Sequence, residues 1–241
     1  LSKKYGFRII EDASHAIGGY YKNLPVGSCK YSDICVFSFH PVKIITTGEG
    51  GIAVTKSKSI ADKLQKFRSH GIHSIKKNMR KRSSDEIWNY QQVSIGLNYR
   101  ITDIAASLGL SQMKKLDTFV NKRRKIANFY KTRLKKLSIR TQHEITDSKS
   151  TFHLYVIRLD LMNKKLFQKT VYDKLTKLGI LVNIHYIPVY RQPFYEDMGF
   201  RAGYCPEAEN YFKEALSIPI YPDMTKDDLN YVSDSIEKVL S

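Results

Sequence analysis

Two short apolar runs frame a loop that carries a single lysine in the stretch Cys35 to Thr55, CVFSFHPVKIITTGEGGIAVT. Ile34 to Phe37 reads as a buried strand, and Gly48, Gly50 and Gly51 lead into a second β-rich run from Ile52 to Thr55. Between them stands Lys43. Pro41 fixes its own backbone and restricts His40 towards extended geometry, while the threonines and glycines that follow allow close approach to a ligand. A lysine desolvated in such a loop, or placed beside another cation, has a lowered pKa, and its neutral amine can condense with a carbonyl compound. The plain alternative is a solvated surface lysine, the default in a chain with 40 Lys and Arg residues.

A second stretch bears on that choice. Phe7 to Ile10 reads as a buried strand, with Glu11 and Asp12 at its carboxyl end, where open parallel sheets put their ligand chemistry. A buried carboxylate needs a partner. The ring nitrogen of a pyridine-type cofactor is such a partner: an aspartate against it keeps the nitrogen protonated, so that the ring accepts electrons while the lysine moves the proton. His15, three residues on, can sit at the same rim. A helix cap is the alternative for Asp12, and a hydrogen-bonded core histidine is the alternative for His15.

The blocks EDASHA, SFHPVKIITTGEGG and GLNYRITDIAASLGLSQMKKLD resemble the signature stretches of the DegT/DnrJ/EryC1/StrS family, the pyridoxal-phosphate-dependent nucleotide-sugar aminotransferases. The resemblance runs over nearly all 241 residues. It implies an α/β fold of the fold-type I, aspartate aminotransferase-like class, with a partial large cofactor domain over residues 1–125 and a small C-terminal α/β domain over residues 126–241. It further implies that Lys43 anchors pyridoxal 5'-phosphate and then acts as acid and base, and that Asp12 pairs with the ring nitrogen. In the same way, Ser38 matches a phosphate-binding serine, His15 faces the cofactor, and Asn98 reaches the phosphate in a neighbouring subunit. His185, Tyr186, Trp88 and Arg100 are the implied substrate contacts.

The implied reaction moves an amino group from glutamate to C4 of a UDP-linked 4-keto-6-deoxy N-acetyl hexosamine, in a pathway of the pseudaminic acid type. A cytoplasmic homodimer is expected. Two alternatives stay open: an aminotransferase for another nucleotide keto sugar, and an inactive fragment that needs a separate N-terminal portion. A dehydratase branch of the family has His where Lys43 stands. Family members are longer, and the difference lies ahead of Leu1. The expectation is therefore a chain without the first strands of the cofactor domain, the phosphate-holding turn and the ring-stacking aromatic.

A formal charge of +17 raises nucleic acid as a partner, through KKNMRKR at Lys76 to Arg82, KRRK at Lys122 to Lys125 and KTRLKK at Lys131 to Lys136. These runs lack interleaved aromatics and zinc ligands, and the last two lie on a predicted helix as a solvated face. No nucleic-acid partner is expected. No apolar run approaches the roughly twenty residues that cross a bilayer, so no membrane association is expected either. Cys29, Cys35 and Cys205 have neither metal spacing nor an even count, which suits reduced thiols and no metal.

Periodicity predicts the remaining elements. Leu1 to Lys4 reads as a helix tail, and Ser57 caps a helix over 58–68 that ends at His70 and Gly71. Ile72 to Tyr90 has no periodicity and reads as a loop, with Trp88 and Tyr90 either available to a sugar or uracil ring or pinning the loop to the core. A helix capped by Thr102 or Asp103 continues through Leu137, with a break near Asp117. Beyond it come a strand over Phe152 to Leu159, a helix over Lys164 to Leu178 ended by Gly179, a strand over Leu181 to His185, and helices over Glu207 to Leu216 and Lys226 to Leu240. His185, Tyr186 and Tyr190 sit where that second strand gives way to a proline-restricted loop.

Overall fold

The computed structural model of the chain describes residues 1–75, 79–81, 89–160 and 167–240. Trp88 and most of the expected loop before Tyr90 lie outside the described residues, as does the expected helix start at Lys164. The chain packs as two units, Leu1–Asp117 and Thr118–Ser241. Their division falls inside the helix Leu116–Arg133, ahead of the expected 125/126 division.

The first unit opens with α1 (Ser2–Tyr5), β1 (Ile10–Asp12) and a small hairpin of β2 (Tyr20–Tyr21) and β3 (Leu24–Pro25). β4 (Ile34–Ser38) then pairs in parallel with β1, setting Ile10 opposite Ile34 and Asp12 opposite Val36. β5 (Gly51–Val54) pairs antiparallel on the other side of β4, with Ser38 opposite Gly51. Alternation along β4 buries Cys35 and Phe37, which pack with Ala13 into one small core.

The first strand is shorter and more exposed than the sequence predicts. Phe7 is 49% exposed and Ile10 67% exposed, so the expected buried run Phe7 to Ile10 does not form. The backbone ahead of Ile10 is diverted: the Ile9 N–H donates to the Asp33 carboxylate at 2.9 Å, and the Ile9 carbonyl accepts the Asp33 N–H at 2.8 Å. These bonds close the chain onto the start of β4 without continuing a ladder.

α2 (Lys58–Arg68) starts where Ser57 accepts the Ile60 N–H, as expected of a serine cap. β6 (Ile72–His73) and β7 (Gln91–Gln92) form a short antiparallel pair. The segment after β7 crosses the end of α2 at very close range: a Cβ built on Gly96 meets the Gly71 nitrogen at 2.2 Å. Only glycine allows that approach. Thr102 caps α3 (Asp103–Met113) by accepting the Ala105 N–H, and the helical run breaks at Lys114 and Lys115 before α4 (Leu116–Arg133).

The second unit, Thr118–Ser241, holds the larger core. An antiparallel sheet of β8 (Ile139–Thr141), β10 (Tyr155–Leu159) and β11 (Ala215–Ile218) has β10 at its centre; a two-residue strand, β9 (Ser148–Lys149), lies between β8 and β10 in the chain. Tyr130 of α4 and Leu134 just beyond it pack on this sheet, together with Val171 and Leu175 of α5 (Gln168–Lys177) and Ile236 of the last helix, Lys226–Leu240. Arg123 is buried among them, and its Nη1 donates to the carbonyls of Phe152, His153 and Ile220 at 3.0–3.2 Å.

Three expectations for this unit are corrected. The predicted strand from Phe152 begins at Tyr155, because Phe152 takes φ 48°, outside strand geometry. Leu181 to His185 is not a strand: only Asn183 bridges to Ser217, and Leu181 is 80% exposed. The helix expected to run to Leu216 ends at Glu214, since Ala215–Ile218 pairs with β10 and buries Leu216. Burial beside β10 wins there over helical propensity.

Candidate active site

Asp12 stands at the carboxyl end of β1, next to β4 in a parallel pair. It is exposed, not buried as the sequence reading has it, and it caps no helix. Its Oδ1 accepts two bonds from Ser14, one from the backbone N–H at 3.0 Å and one from the hydroxyl at 2.5 Å. The Ser14 bonds hold the carboxyl below the usual carboxylate range, and the charges of His15 and Lys43 add to that effect.

Lys43 lies in the loop between β4 and β5. The loop is built from the inside: Phe39 N–H donates to the Gly50 carbonyl, Thr47 N–H to the Phe39 carbonyl, and Lys43 N–H to the His40 carbonyl at 2.9 Å. Ile44, Ile45 and Thr47 are buried beneath it. Lys43 itself is half-buried. Burial lowers its pKa, against an opposing pull from the Asp12 carboxylate.

Ser38 ends β4 and accepts the His40 N–H at 3.3 Å, which leaves its own O–H proton to donate. Asp12 is thus within electrostatic reach of both His15 and Lys43, with Ser38 on the strand that leads to the lysine. Asn98 and Arg100 are exposed on the segment entering α3. Asn98 bridges to Ser69, and Ile101, three residues on, packs near Gly50 in the lysine loop.

His185 and Tyr186 belong to the second unit. The His185 ring nitrogen Nδ1 lies 2.7 Å from the Ser217 hydroxyl, and the two rings stack edge to face at 4.5 Å. Tyr190 does not join them: its hydroxyl donates to Glu209 at 2.7 Å. Sequence reasoning missed Ser14 and Thr47. The spacing Asp-x-Ser, a turn-forming pattern, was the available signal for Ser14.

The mixed sheet, with a lysine loop beyond one strand and a carboxylate at the end of its parallel neighbour, defines the cofactor-side architecture of a fold-type I transferase. The chain belongs to the DegT/DnrJ/EryC1/StrS aminotransferase family, whose sequence profile matches residues 1–237. It is 39% identical to the UDP-4-amino-4,6-dideoxy-N-acetyl-beta-L-altrosamine transaminase of Campylobacter jejuni, covering all of this chain and 60% of that protein. It is 32% identical to the spore coat polysaccharide biosynthesis protein SpsC of Bacillus subtilis, covering all of this chain and 61% of that protein.

Among solved structures it superposes on Helicobacter pylori PseC, an aminotransferase of pseudoaminic acid biosynthesis, with a TM-score of 0.87 at 32% identity, over all of this chain and 61% of that one. The PLP form of the sugar aminotransferase Spr1654 from Streptococcus pneumoniae gives a TM-score of 0.85 at 28% identity, over all of this chain and 60% of that one. The chain spans about 60% of the length of the curated relatives it matches.

Proposed function

We propose that the chain carries the lysine side of a pyridoxal-phosphate-dependent nucleotide-sugar aminotransferase. Its reaction takes an amino group from glutamate and delivers it to C4 of a UDP-linked 4-keto-6-deoxy N-acetyl hexosamine. The observation that carries this reading is the placement of the half-buried Lys43 amine, in the loop after β4, within electrostatic reach of the Asp12 carboxylate at the end of β1. The relatives' names supply the sugar and the position of the amine.

The donor set fits the cofactor: an amine for its aldehyde, a carboxylate for its ring nitrogen and a hydroxyl for its phosphate. The cofactor supplies an electron sink and a carrier for the amino group. Asp12, ionised at neutral pH, would hold a proton on a basic ring nitrogen by hydrogen bond and charge. Ser38 would donate its O–H to a phosphate oxygen, and Asn98 would serve the phosphate in a partner subunit of a homodimer. His15, exposed beside Asp12, would be the residue to face the ring.

Burial keeps a larger fraction of Lys43 neutral at pH 7 than solvent does, so its Nζ can take a proton from the α-carbon of the amino donor in one half-reaction and, in the other, deliver a proton to the sugar carbon. His185, Tyr186, Arg100 and Trp88 are assigned to the sugar nucleotide, and the lysine-rich charge of +17 favours approach of that anion. Among the described residues no helix is long and apolar enough to cross a membrane. We place the enzyme in the cytoplasm, where activated sugars are made.

Incubation of the chain with pyridoxal phosphate, reduction with borohydride and peptide mapping tests the assignment. The label is expected on Lys43 and absent after Lys43→Ala. A label on another lysine sinks it.

A further inference from the structure

Two donors on one residue converge on a single oxygen of Asp12. The Ser14 N–H and O–H both reach Oδ1, at 3.0 and 2.5 Å, and among the described residues no hydrogen bond is donated to Oδ2. Ser14 is itself fixed from below. Ala13 is buried against Cys35 and Phe37, its N–H donates to the Val36 carbonyl at 2.8 Å, and its own carbonyl accepts the Ala16 N–H at 2.9 Å. The turn therefore sets where the Ser14 hydroxyl points.

We propose that Ser14 is a positioning residue, which holds Oδ1 of Asp12 so that Oδ2 is left to receive a cationic nitrogen from a ligand. This rests on the reading of Asp12 as the partner of the cofactor ring. A carboxylate with both oxygens open to water rotates freely and shares its charge with solvent; one with an oxygen already committed to two donors presents the other in a fixed direction. The same two bonds favour the ionised form, and they are the largest influences on the Asp12 carboxyl, ahead of the charges of His15 and Lys43 that face it. An ionised partner is what a protonated ring nitrogen needs.

The bland reading is that Ser14 merely closes a turn, and the test separates the two. The titration of Asp12 is followed by carboxylate carbon NMR in the cofactor-free chain, with the signal assigned by its loss in Asp12→Asn. Ser14→Ala keeps the backbone donor and removes the hydroxyl; Ser14→Thr keeps both. The expected result is an upward move of the Asp12 midpoint in Ser14→Ala and its restoration in Ser14→Thr. No movement in Ser14→Ala, or equal movement in both variants, overturns the proposal.

A second arm measures pyridoxal phosphate affinity against pH by absorbance. Ser14→Ala is expected to weaken binding about tenfold, the size of one charge-assisted hydrogen bond, and to move the acid limb of the profile upward, with Ser14→Thr restoring both. A turn-closing role lowers thermal stability without moving that limb, and an unmoved limb counts against the proposal. If the parent chain binds no pyridoxal phosphate while the NMR arm behaves as expected, this chain alone does not carry the cofactor site, and the control of Asp12 by Ser14 stands.

Discussion

Gly109→Ala is the substitution that best tests how the lysine loop is supported. Gly109 is the buried residue of α3, and a Cβ built there lies 2.7 Å from Cγ2 of Thr47, closer than carbon atoms approach without displacement. Thr47 cannot swing away cheaply. It is buried, its Oγ1 donates to the Glu49 carbonyl at 2.8 Å, its N–H is bound to Phe39, and a β-branched side chain has few other rotamers. Alanine gains about 1 kcal/mol over glycine in a helix interior, while an overpacked methyl costs about 1–3 kcal/mol. The net expectation is a loss of up to about 2 kcal/mol.

Thr47→Ser removes the obstructing methyl and keeps the hydroxyl. In that background Gly109→Ala is expected to be neutral or stabilising, giving a coupling of about 1–3 kcal/mol between the two positions. Because the chain has two units, a single denaturation curve mixes them. Hydrogen exchange of peptides covering β4 and β5 reads the first unit alone. A stabilising Gly109→Ala in the parent chain, or the same effect in both backgrounds, refutes the argument.

Two further outcomes are expected. Lys43 has a folded-state pKa below its ordinary 10.5, so its charged form is disfavoured by folding; that cost is full below the folded pKa and vanishes as pH rises to the ordinary value. Lys43→Met should therefore raise thermal stability at pH 7 and lose that gain towards pH 10.5, and a gain independent of pH contradicts the desolvation argument. Leu216→Ala should destabilise the second unit by about 2–5 kcal/mol in hydrogen exchange of β10 and β11, because Leu216 is fully buried at the strand that lines β10.

Much of the framework was readable because the signals were local. Ser57 and Thr102 cap helices through their own side chains, Gly179 takes positive φ where its helix stops, and the alternation of Ile34 to Ser38 is that of a strand buried on one side. The errors lie where a distant partner decides. Ala215 to Ile218 follows a helical pattern without a break in composition, and only β10 makes it a strand. Leu181 to His185 has strand-like residues, but the Ser217 backbone engages only Asn183. No local periodicity encodes either fact.

The site shows the same division in finer grain. Glu11 and Asp12 are adjacent carboxylates, and composition does not say which one serves the lysine. The parallel register decides it, by setting Asp12 opposite Val36 and Glu11 opposite Cys35. Glu11 then falls on the side of the small core, where it accepts the Ser32 hydroxyl at 3.1 Å; burial, with the Glu11 charge adding to it, pushes the Cys35 thiol up to about 12. Asp12 falls on the other side, where Ser14, His15 and Lys43 all favour its charge. A slip of one residue between β1 and β4 exchanges the two faces, putting the carboxylate that raises a thiol pKa beside the amine and turning the other into the core. The bonds between Ile9 and Asp33, just ahead of β1 and β4, hold the two strands in that register, and with it the identity of the carboxylate within electrostatic reach of Lys43.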